Sequence, residues 1–351
     1  MTGGAGAKTG LRGTRGAGGD AERETAPAWL FCVGAQKAGT TWLYDYLSRH
    51  PEVHVPPVKE LHYFNARLDP RQAGFADRRR KHLRRIRRGG AVRGLARMAS
   101  RKLGLHRLRT AHNPGDVTSG DLVAALVAMH DDTSATHDRY RDVVLQGWQG
   151  EAVVADITPD YAVMPGAAFA RMAEDFPNAR FLFILRDPIS RTWSHIRMVR
   201  DEWMRRKTRQ ISADEILDKL EAGGQRHILR RTSYQDTVRA LRRQVGEDRL
   251  LFLFYETLFE DATIERLCAF LGVGFVAGDY EKSVRQGGSG AMSPEQRARI
   301  GALVAPVYEQ VLRLFGTDVP AQWDQDMMAK ARAALRRKRA ENRRAQLANA
   351  G

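Results

Sequence analysis

Apolar runs alternate with amphipathic segments along the central part of the chain. Four runs are nearly continuous in apolar residues, as is typical of strands that helices cover on both faces. They are residues 29–34, 152–156, 180–185 and 249–256. Segments with helical spacing of apolar positions lie between or after these runs. They are residues 167–176, 189–205, 233–245, 257–271 and 294–315. The alternation predicts an α/β fold of three layers, α/β/α, with a mostly parallel central sheet.

A glycine loop, GAQKAGTT, follows the first apolar run and precedes a helical pattern. Strand, glycine loop and helix form a phosphate-binding architecture, because a helix N-terminus presents free N–H groups and a positive dipole end. Gly34 and Gly39 keep the glycine spacing of the triphosphate loop G-x-x-x-x-G-K-[ST]. Thr40 takes the place of the lysine, however, and Lys37 lies inside the loop. This arrangement suits a donor whose leaving group ends in a single 5′-phosphate better than a Mg²⁺-bound triphosphate.

Two motifs together resemble those of sulfotransferases that use 3′-phosphoadenosine 5′-phosphosulfate (PAPS). QKAGTTWL resembles the 5′-phosphosulfate loop of that family, and FLFILRDPISRTWSHIRM is similar to its 3′-phosphate motif. The resemblance implies a P-loop-like fold, PAPS as co-substrate and no metal. It implies that Arg186 and Ser194 bind the 3′-phosphate. The loop residues that it assigns to the donor are Gln36, Lys37, Ala38, Gly39, Thr40 and Thr41.

A third segment, KELHYF, resembles the heparan sulfate glucosaminyl branch of the family, in which the glutamate is the general base. By this resemblance Glu60 takes the proton of the acceptor hydroxyl, and Lys59 lies near the transferring sulfonate and the acceptor. His62 is the alternative base, because its unperturbed pKa lies closer to neutrality. The sequence leaves the choice between Glu60 and His62 open.

Further resemblances concern the acceptor side and the nucleotide. DITPDY resembles a segment beside the acceptor, which makes Asp156 an acceptor-site or lysine-orienting residue rather than a metal ligand. RQGGSG resembles a loop that closes over the 3′-phosphate, although a glutamine replaces its lysine, and it assigns Arg285 and Gly287 to the donor. Trp42 matches an aromatic residue against adenine, and Tyr234 matches a tyrosine near the nucleotide. Both could equally be core aromatics.

The charge is high and uneven, with a net charge of +16. Residues 78–109 contain no acidic residue, and residues 330–344 contain one. A solvated helical face, an anionic acceptor such as a sulfated or uronic-acid-containing glycan, and an acidic membrane leaflet each account for such runs. For residues 78–109 we favour a partner, and for residues 330–344 a solvated, partly helical tail. Nucleic acid is disfavoured, because the first run has no aromatic residue to stack on bases.

Composition predicts the domain boundaries. Residues 1–26 are rich in glycine, alanine and threonine and predict a disordered leader. Residues 27–320 form the predicted sulfotransferase domain with a basic helical insertion at about 67–149, and residues 321–351 form a basic tail. No stretch approaches the roughly 20 apolar residues that span a bilayer, so we expect a soluble, cytoplasmic protein with an optional peripheral membrane contact. Cys32 and Cys268 have no metal or redox spacing and predict buried thiols.

The sequence therefore predicts an enzyme that moves a sulfonate from PAPS to a hydroxyl, less readily an amine. The expected acceptor is a carbohydrate, a glycan or a lipid-linked molecule. The alternatives are a small-molecule kinase with a variant phosphate loop and a basic nucleic-acid-binding protein.

Overall fold

One parallel sheet forms the centre of the molecule. The computed structural model describes residues 26–88, 119–205, 210–281 and 291–348. Within these ranges five strands pair in the order β2-β3-β1-β4-β5, and each neighbouring pair is parallel. The strands are β1 (Ala28–Gly34), β2 (Val53–His54), β3 (Val153–Ile157), β4 (Ala179–Leu185) and β5 (Leu250–Phe254). The predicted α/β class with a mostly parallel sheet is confirmed.

Helices cover both faces of the sheet, which is why the strands are apolar throughout. Every residue of β3 and β5 is buried. The helices that precede β4 in the chain are α1 (Thr40–Leu47), α2 (Tyr63–Leu68), α3 (Ala73–Arg88), α4 (Ser119–Asp131), α5 (Asp138–Val144) and α6 (Gly166–Asp175). The later helices are α7 (Pro188–Arg205), α8 (Ala213–Glu221), α9 (Arg226–Arg230), α10 (Tyr234–Gln244), α11 (Asp261–Leu271), α12 (Pro294–Phe315) and α13 (Gln325–Ala348). The five predicted helices are all present, with ends shifted by a few residues.

Because the strands are parallel, their carboxyl ends lie at one edge of the sheet. The loop after β1 lies there, together with the short 3-10 turns Pro159–Val163 after β3 and Tyr255–Thr257 after β5. Arg186 follows β4 directly at the same edge. Ligands of open α/β sheets bind at this edge.

The predicted insertion at 67–149 is helical in its described parts, which contain α3, α4 and α5. Leu83 of α3 and Leu126 of α4 are fully buried, and Arg84 donates to Asp131 at 2.8 Å. Residues 89–118 lie outside the described residues, and so does most of the acid-free run. The leader 1–25 also lies outside them.

The start of the predicted C-terminal tail belongs to the packed domain. Trp323 is 1% exposed and donates from its indole Nε1 to Glu256 at 2.8 Å. Met328 and Ala331 are buried as well. The first apolar residues after residue 320 therefore close the core, in a segment whose composition is dominated by charge. Beyond Ala331 α13 is largely exposed.

Candidate active site

A pocket of about 860 Å³ opens at the carboxyl edge of the sheet. The glycine loop and α1 form one side, α7 forms another, and the segments after β5 and α11 complete it. Many of the residues predicted from the sequence line this pocket although they are far apart in the chain. They are Gln36, Lys37, Gly39, Thr40, Thr41, Trp42, Glu60, Arg186 and Ser194. Ala38 lies in the same loop and is fully buried.

Gly39 ends the loop in a conformation that requires glycine. Its φ is +85°, and it is the N-cap residue of α1. A Cβ at this position would lie 2.7 Å from Leu258 Cδ2 and 3.0 Å from the ring of Tyr255. The first N–H groups of a helix have no acceptor within the helix. Since Gly39 and Thr40 line the pocket, the N-terminus of α1 offers these groups and a positive dipole end to a bound anion.

Two arginines hold the carbonyl groups of the loop. Arg191 Nε donates to the carbonyl oxygen of Gln36 at 3.1 Å, and Arg186 Nη1 donates to that of Lys37 at 2.8 Å. Lys37 has a φ of 73°, which is uncommon for a residue with a side chain. The two bonds hold the loop in a conformation that Lys37 would not adopt by itself.

Positive charges converge on Lys37. Burial and the neighbouring Arg186, Arg197 and Arg191 lower the pKa of Lys37. Arg197 lines the pocket with Arg186, whereas Arg191 is fully buried beneath the loop. This concentration of cations favours a ligand with several negative charges.

Arg186 and Ser194 both line the pocket. The guanidinium of Arg186 lies 4.2 Å from the centre of the Tyr255 ring, which fixes its plane. Ser194 is on α7, about two turns beyond the strand end that carries Arg186. The two predicted 3′-phosphate residues are thus brought to one pocket.

Tyr234 does not line the pocket. It is 1% exposed, and its hydroxyl donates to the carbonyl oxygen of Arg186 at 2.9 Å. The expectation that Tyr234 contacts the nucleotide is corrected, because the first residue of α10 packs inward against Phe183. It supports the backbone of Arg186 from behind.

Glu60 is the carboxylate that the pocket presents on the acceptor side. Lys59 Nζ donates to Glu60 Oε1 at 2.9 Å and lies 3.4 Å from Thr41 Oγ1. His62 Nε2 lies 3.7 Å from Glu60 Oε2. Burial opposes ionisation, but Lys59 and His62 together hold the pKa of Glu60 well below its usual range. The Glu60 carboxylate is therefore ionised, and the same contacts lower its proton affinity.

His62 lies behind Glu60. It is 8% exposed, and its Nδ1 lies 3.2 Å from Asn65 Oδ1 and 3.8 Å from Asp160 Oδ2. Asp160 in turn accepts a hydrogen bond from Arg231 Nε at 2.8 Å. These contacts orient the imidazole toward Glu60.

Asp156 is not open to an acceptor. It is fully buried and accepts hydrogen bonds from Thr158 Oγ1 at 2.7 Å and from the hydroxyls of Tyr140 and Tyr161 at 2.9 Å each. Burial raises the pKa of Asp156 despite these bonds. The predicted acceptor contact is corrected, because α5 and the turn after β3 cover this strand end.

Trp42 forms an aromatic wall of the pocket. Its ring stacks on Tyr46 at 5.5 Å and on Tyr280 at 5.9 Å, and its Nε1 donates to the carbonyl oxygen of Asp279 at 3.1 Å. Stacked rings of this kind provide a flat apolar surface. Arg285 and Gly287 lie outside the described residues.

The comparisons with known proteins agree with this geometry. The sequence profile described as "Sulfotransferase family" matches residues 27–276, which is most of the chain. The chain belongs to the sulfotransferase family. It is therefore a PAPS-dependent sulfotransferase, and its family implies PAPS as the sulfonate donor. No curated protein sequence matches this sulfotransferase significantly.

Three solved structures are similar to this chain, and the first of them shows the same fold. A sulfotransferase from Alicyclobacillus acidocaldarius is 23% identical with a TM-score of 0.54, and the match covers 82% of this chain and 95% of that one. The sulfotransferase domain of the curacin biosynthetic pathway is 15% identical with a TM-score of 0.44, covering 88% and 98% of the two chains. A sulfotransferase from Mycobacterium avium is 18% identical with a TM-score of 0.44, covering 84% and 79%.

The pocket of this sulfotransferase has unsatisfied polar atoms where a donor would bind. Among the described residues, Arg186 Nε and Gln36 Oε1 are buried without a hydrogen-bond partner. Buried polar atoms are normally paired, so these two atoms fit a ligand that brings hydrogen-bonding groups into the pocket. A guanidinium donor, a lysine and a helix N-terminus suit the two phosphate groups of PAPS.

Sequence reasoning missed several residues of this site. Arg197 and Met198 line the pocket, and Tyr255 supports Arg186. Helical spacing could have identified Arg197, which lies three residues after Ser194 on the same face of α7. Arg191 and Tyr255 carry no such signal, because their roles depend on contacts between distant segments.

The described residues contain neither a candidate metal cluster nor a membrane-spanning helix. No cluster of three or more His, Cys, Asp or Glu side chains in these ranges could hold a metal ion. No helix among the described residues is long and apolar enough to cross a membrane. The two cysteines, Cys32 and Cys268, are free and buried, as predicted.

Proposed function

We propose that this sulfotransferase moves the sulfonate of PAPS to a hydroxyl of a carbohydrate or lipid-linked acceptor, with Glu60 as the general base. One observation carries the proposal: Lys37, Glu60, Arg186 and Ser194 line a single pocket of about 860 Å³. The acceptor group that we propose is a hydroxyl, and Glu60 is the ionised carboxylate that takes its proton as the oxygen attacks sulfur.

The donor side of the pocket binds and orients. Arg186 and Ser194 hold the 3′-phosphate, while Lys37 and the amides at the start of α1 hold the 5′-phosphate. When bound, PAPS supplies the sulfonate and the leaving group. Lys37 stabilises the negative charge that develops on the bridging oxygen as the sulfur–oxygen bond breaks. Trp42 provides the flat wall for the adenine.

The acceptor side moves one proton. Glu60 accepts the proton of the acceptor hydroxyl while that oxygen forms its bond to sulfur, in line with the departing 5′-phosphate oxygen. Lys59 holds Glu60 through the 2.9 Å contact and lies beside the transferring group. Glu60 lines the pocket, and His62 contacts it at 3.7 Å. This arrangement supports the carboxylate, and not the imidazole, as the group that meets the acceptor.

The basic surface supports the acceptor class. Arg78, Lys81 and Arg85 are exposed on α3. Such a surface attracts a sulfated or acidic glycan, or an acidic membrane leaflet that carries a lipid-linked acceptor. The resemblance of the KELHYF segment to a glycan-modifying branch supports the carbohydrate.

A screen of acceptors with PAPS labelled in its sulfonate tests the proposal. Neutral and acidic oligosaccharides and glycolipids are incubated with the enzyme, and labelled products are separated. Glu60→Gln serves as the comparison, and we expect transfer to fall by on the order of 10²- to 10⁴-fold, the usual contribution of a general base. Retained transfer in Glu60→Gln would move the base to His62, for which His62→Gln is the matched variant.

A further inference from the structure

Two arginines from different elements meet beside the turn that follows β3. Arg71 lies in the 3-10 turn Pro70–Gln72, and Arg230 is the last residue of α9. The Nη2 groups of both arginines donate to one oxygen, the backbone carbonyl of Val163, and the bond from Arg71 is 2.9 Å long. Two guanidinium cations are therefore held at one point of the surface.

Each of the two nearby carboxylates is engaged by an arginine, Asp69 by Arg71 itself and Asp160 by Arg231. Asp69 accepts from Arg71 through both of its oxygens, at 2.7 and 3.0 Å. Asp160 accepts from Arg231 Nε at 2.8 Å. In the part of the chain that the structure describes, Arg230 forms no ion pair with a carboxylate, so the group of three arginines and two aspartates carries one excess positive charge.

The excess charge is accessible. Arg230 is exposed, and the side chain of Arg71 is 52% exposed. Partial burial and the adjacent charge of Arg71 lower the pKa of Arg230. An anion bound between the two guanidinium groups would relieve this repulsion.

The arginines lie next to the acceptor side of the pocket. Asp160 Oδ2, on the carboxylate that binds Arg231, lies 3.8 Å from His62 Nδ1. His62 Nε2 lies 3.7 Å from Glu60 Oε2. Asp160 and Val163 belong to the same short turn, so Arg230 and Arg71 lie within the length of an oligosaccharide whose hydroxyl meets Glu60.

We propose that Arg230 and Arg71 form an anion subsite, which binds a carboxylate or sulfate group of the acceptor while its reacting hydroxyl meets Glu60. A guanidinium group suits both anions, because its planar N–H donors match two oxygens at once. The inference rests on the proposed function, since it takes the acceptor to lie at Glu60.

Calorimetry on the full chain tests the subsite. The enzyme is first saturated with 3′-phosphoadenosine 5′-phosphate, so that the donor's anion sites are filled. Three tetrasaccharides are then titrated: alternating glucuronate and N-acetylglucosamine, the same chain with sulfate groups, and neutral N-acetylglucosamine. We expect the wild type to bind at least one anionic chain about tenfold more tightly than the neutral one.

Two arginines of α9 provide a matched pair of variants. Arg230→Gln should remove the preference, whereas Arg226→Gln should keep it, because Arg226 is exposed on the same helix and donates to the carbonyl of Gly223. Preference for glucuronate or for sulfate distinguishes the two anions, and either supports the subsite. Equal binding of charged and neutral chains by the wild type, or an unchanged preference in Arg230→Gln, would overturn it. Failure of the bisphosphate to bind would instead contradict the proposed function.

Discussion

Three residues of the site share an uncommon backbone conformation. Lys37, Glu60 and His62 have φ values of 73°, 61° and 55°. Non-glycine residues with positive φ cost free energy and persist where surrounding contacts hold them in place. Here Arg186 holds Lys37, and Lys59 holds Glu60. In this backbone conformation the side chains of Lys37 and Glu60 line the same pocket.

The pH dependence of transfer separates the two candidate bases. A base acts in its deprotonated form, so activity is lost as pH falls through its pKa. Because Lys59 and His62 hold the pKa of Glu60 far below its usual value against the effect of burial, kcat/KM for the acceptor should stay level down to about pH 5. An acid limb well above the ordinary pKa range of a carboxylate would contradict Glu60 as the base.

Among the helices and strands, Arg191 of α7 connects the glycine loop to α9 and to Thr232, which follows α9. It is fully buried, and besides the carbonyl of Gln36 it donates to the carbonyl of Ile228 at 2.7 Å and to Thr232 Oγ1 at 2.6 Å. Its Nη2 also donates to His195 Nδ1 at 2.7 Å. The bond network couples α7, which carries Ser194, to the loop.

Arg191→Met should weaken donor binding and lower stability together. The substitution leaves buried acceptors without donors, at about 1–3 kcal/mol for each. We expect the free energy of unfolding in urea to fall by at least about 2 kcal/mol, and the Kd for 3′-phosphoadenosine 5′-phosphate to rise. Arg200→Met on the same helix is the control, because the exposed Asp201 is the one partner of Arg200 among the described residues. Unchanged bisphosphate affinity in Arg191→Met would show that the loop does not depend on Arg191.

The elements themselves were largely predictable, because their signals are local. The strands around Phe31 and Phe181 are continuous apolar runs, and the glycine loop has a fixed spacing between Gly34 and Gly39. β2 was not predicted, because a strand of two residues has no periodicity and forms only by pairing with β3. Asp156 was misplaced for a similar reason, since its burial depends on Tyr140 of a separate helix.

At the scale of the whole molecule, the C-terminal segment completes the core behind the donor site. Trp323 binds Glu256, and the N–H of Asp324 donates to Asp187 Oδ2 at 3.1 Å. Asp187 follows Arg186 directly and also accepts from the Tyr308 hydroxyl at 2.5 Å. The segment therefore stabilises the turn that carries Arg186.

Trp323→Ala tests this contribution to stability. A buried tryptophan replaced by alanine costs about 3–5 kcal/mol, and we expect a loss of this size in urea-induced unfolding. Leu347→Ala, in the exposed part of α13, should change stability by less than about 0.5 kcal/mol, because Leu347 is 67% exposed. Equal stabilities of the two variants would contradict the packing of this segment into the domain.

The central claim is that the pocket at the sheet edge binds the donor of sulfonate transfer without a metal. Calorimetric titration of 3′-phosphoadenosine 5′-phosphate and of ATP, each with Mg²⁺ and with EDTA, tests it most directly. We expect tight bisphosphate binding that EDTA leaves unchanged. In Arg186→Ala, which lacks a guanidinium group that lines the pocket, the Kd should be about tenfold or more higher. Binding of Mg²⁺-ATP without affinity for the bisphosphate would contradict it.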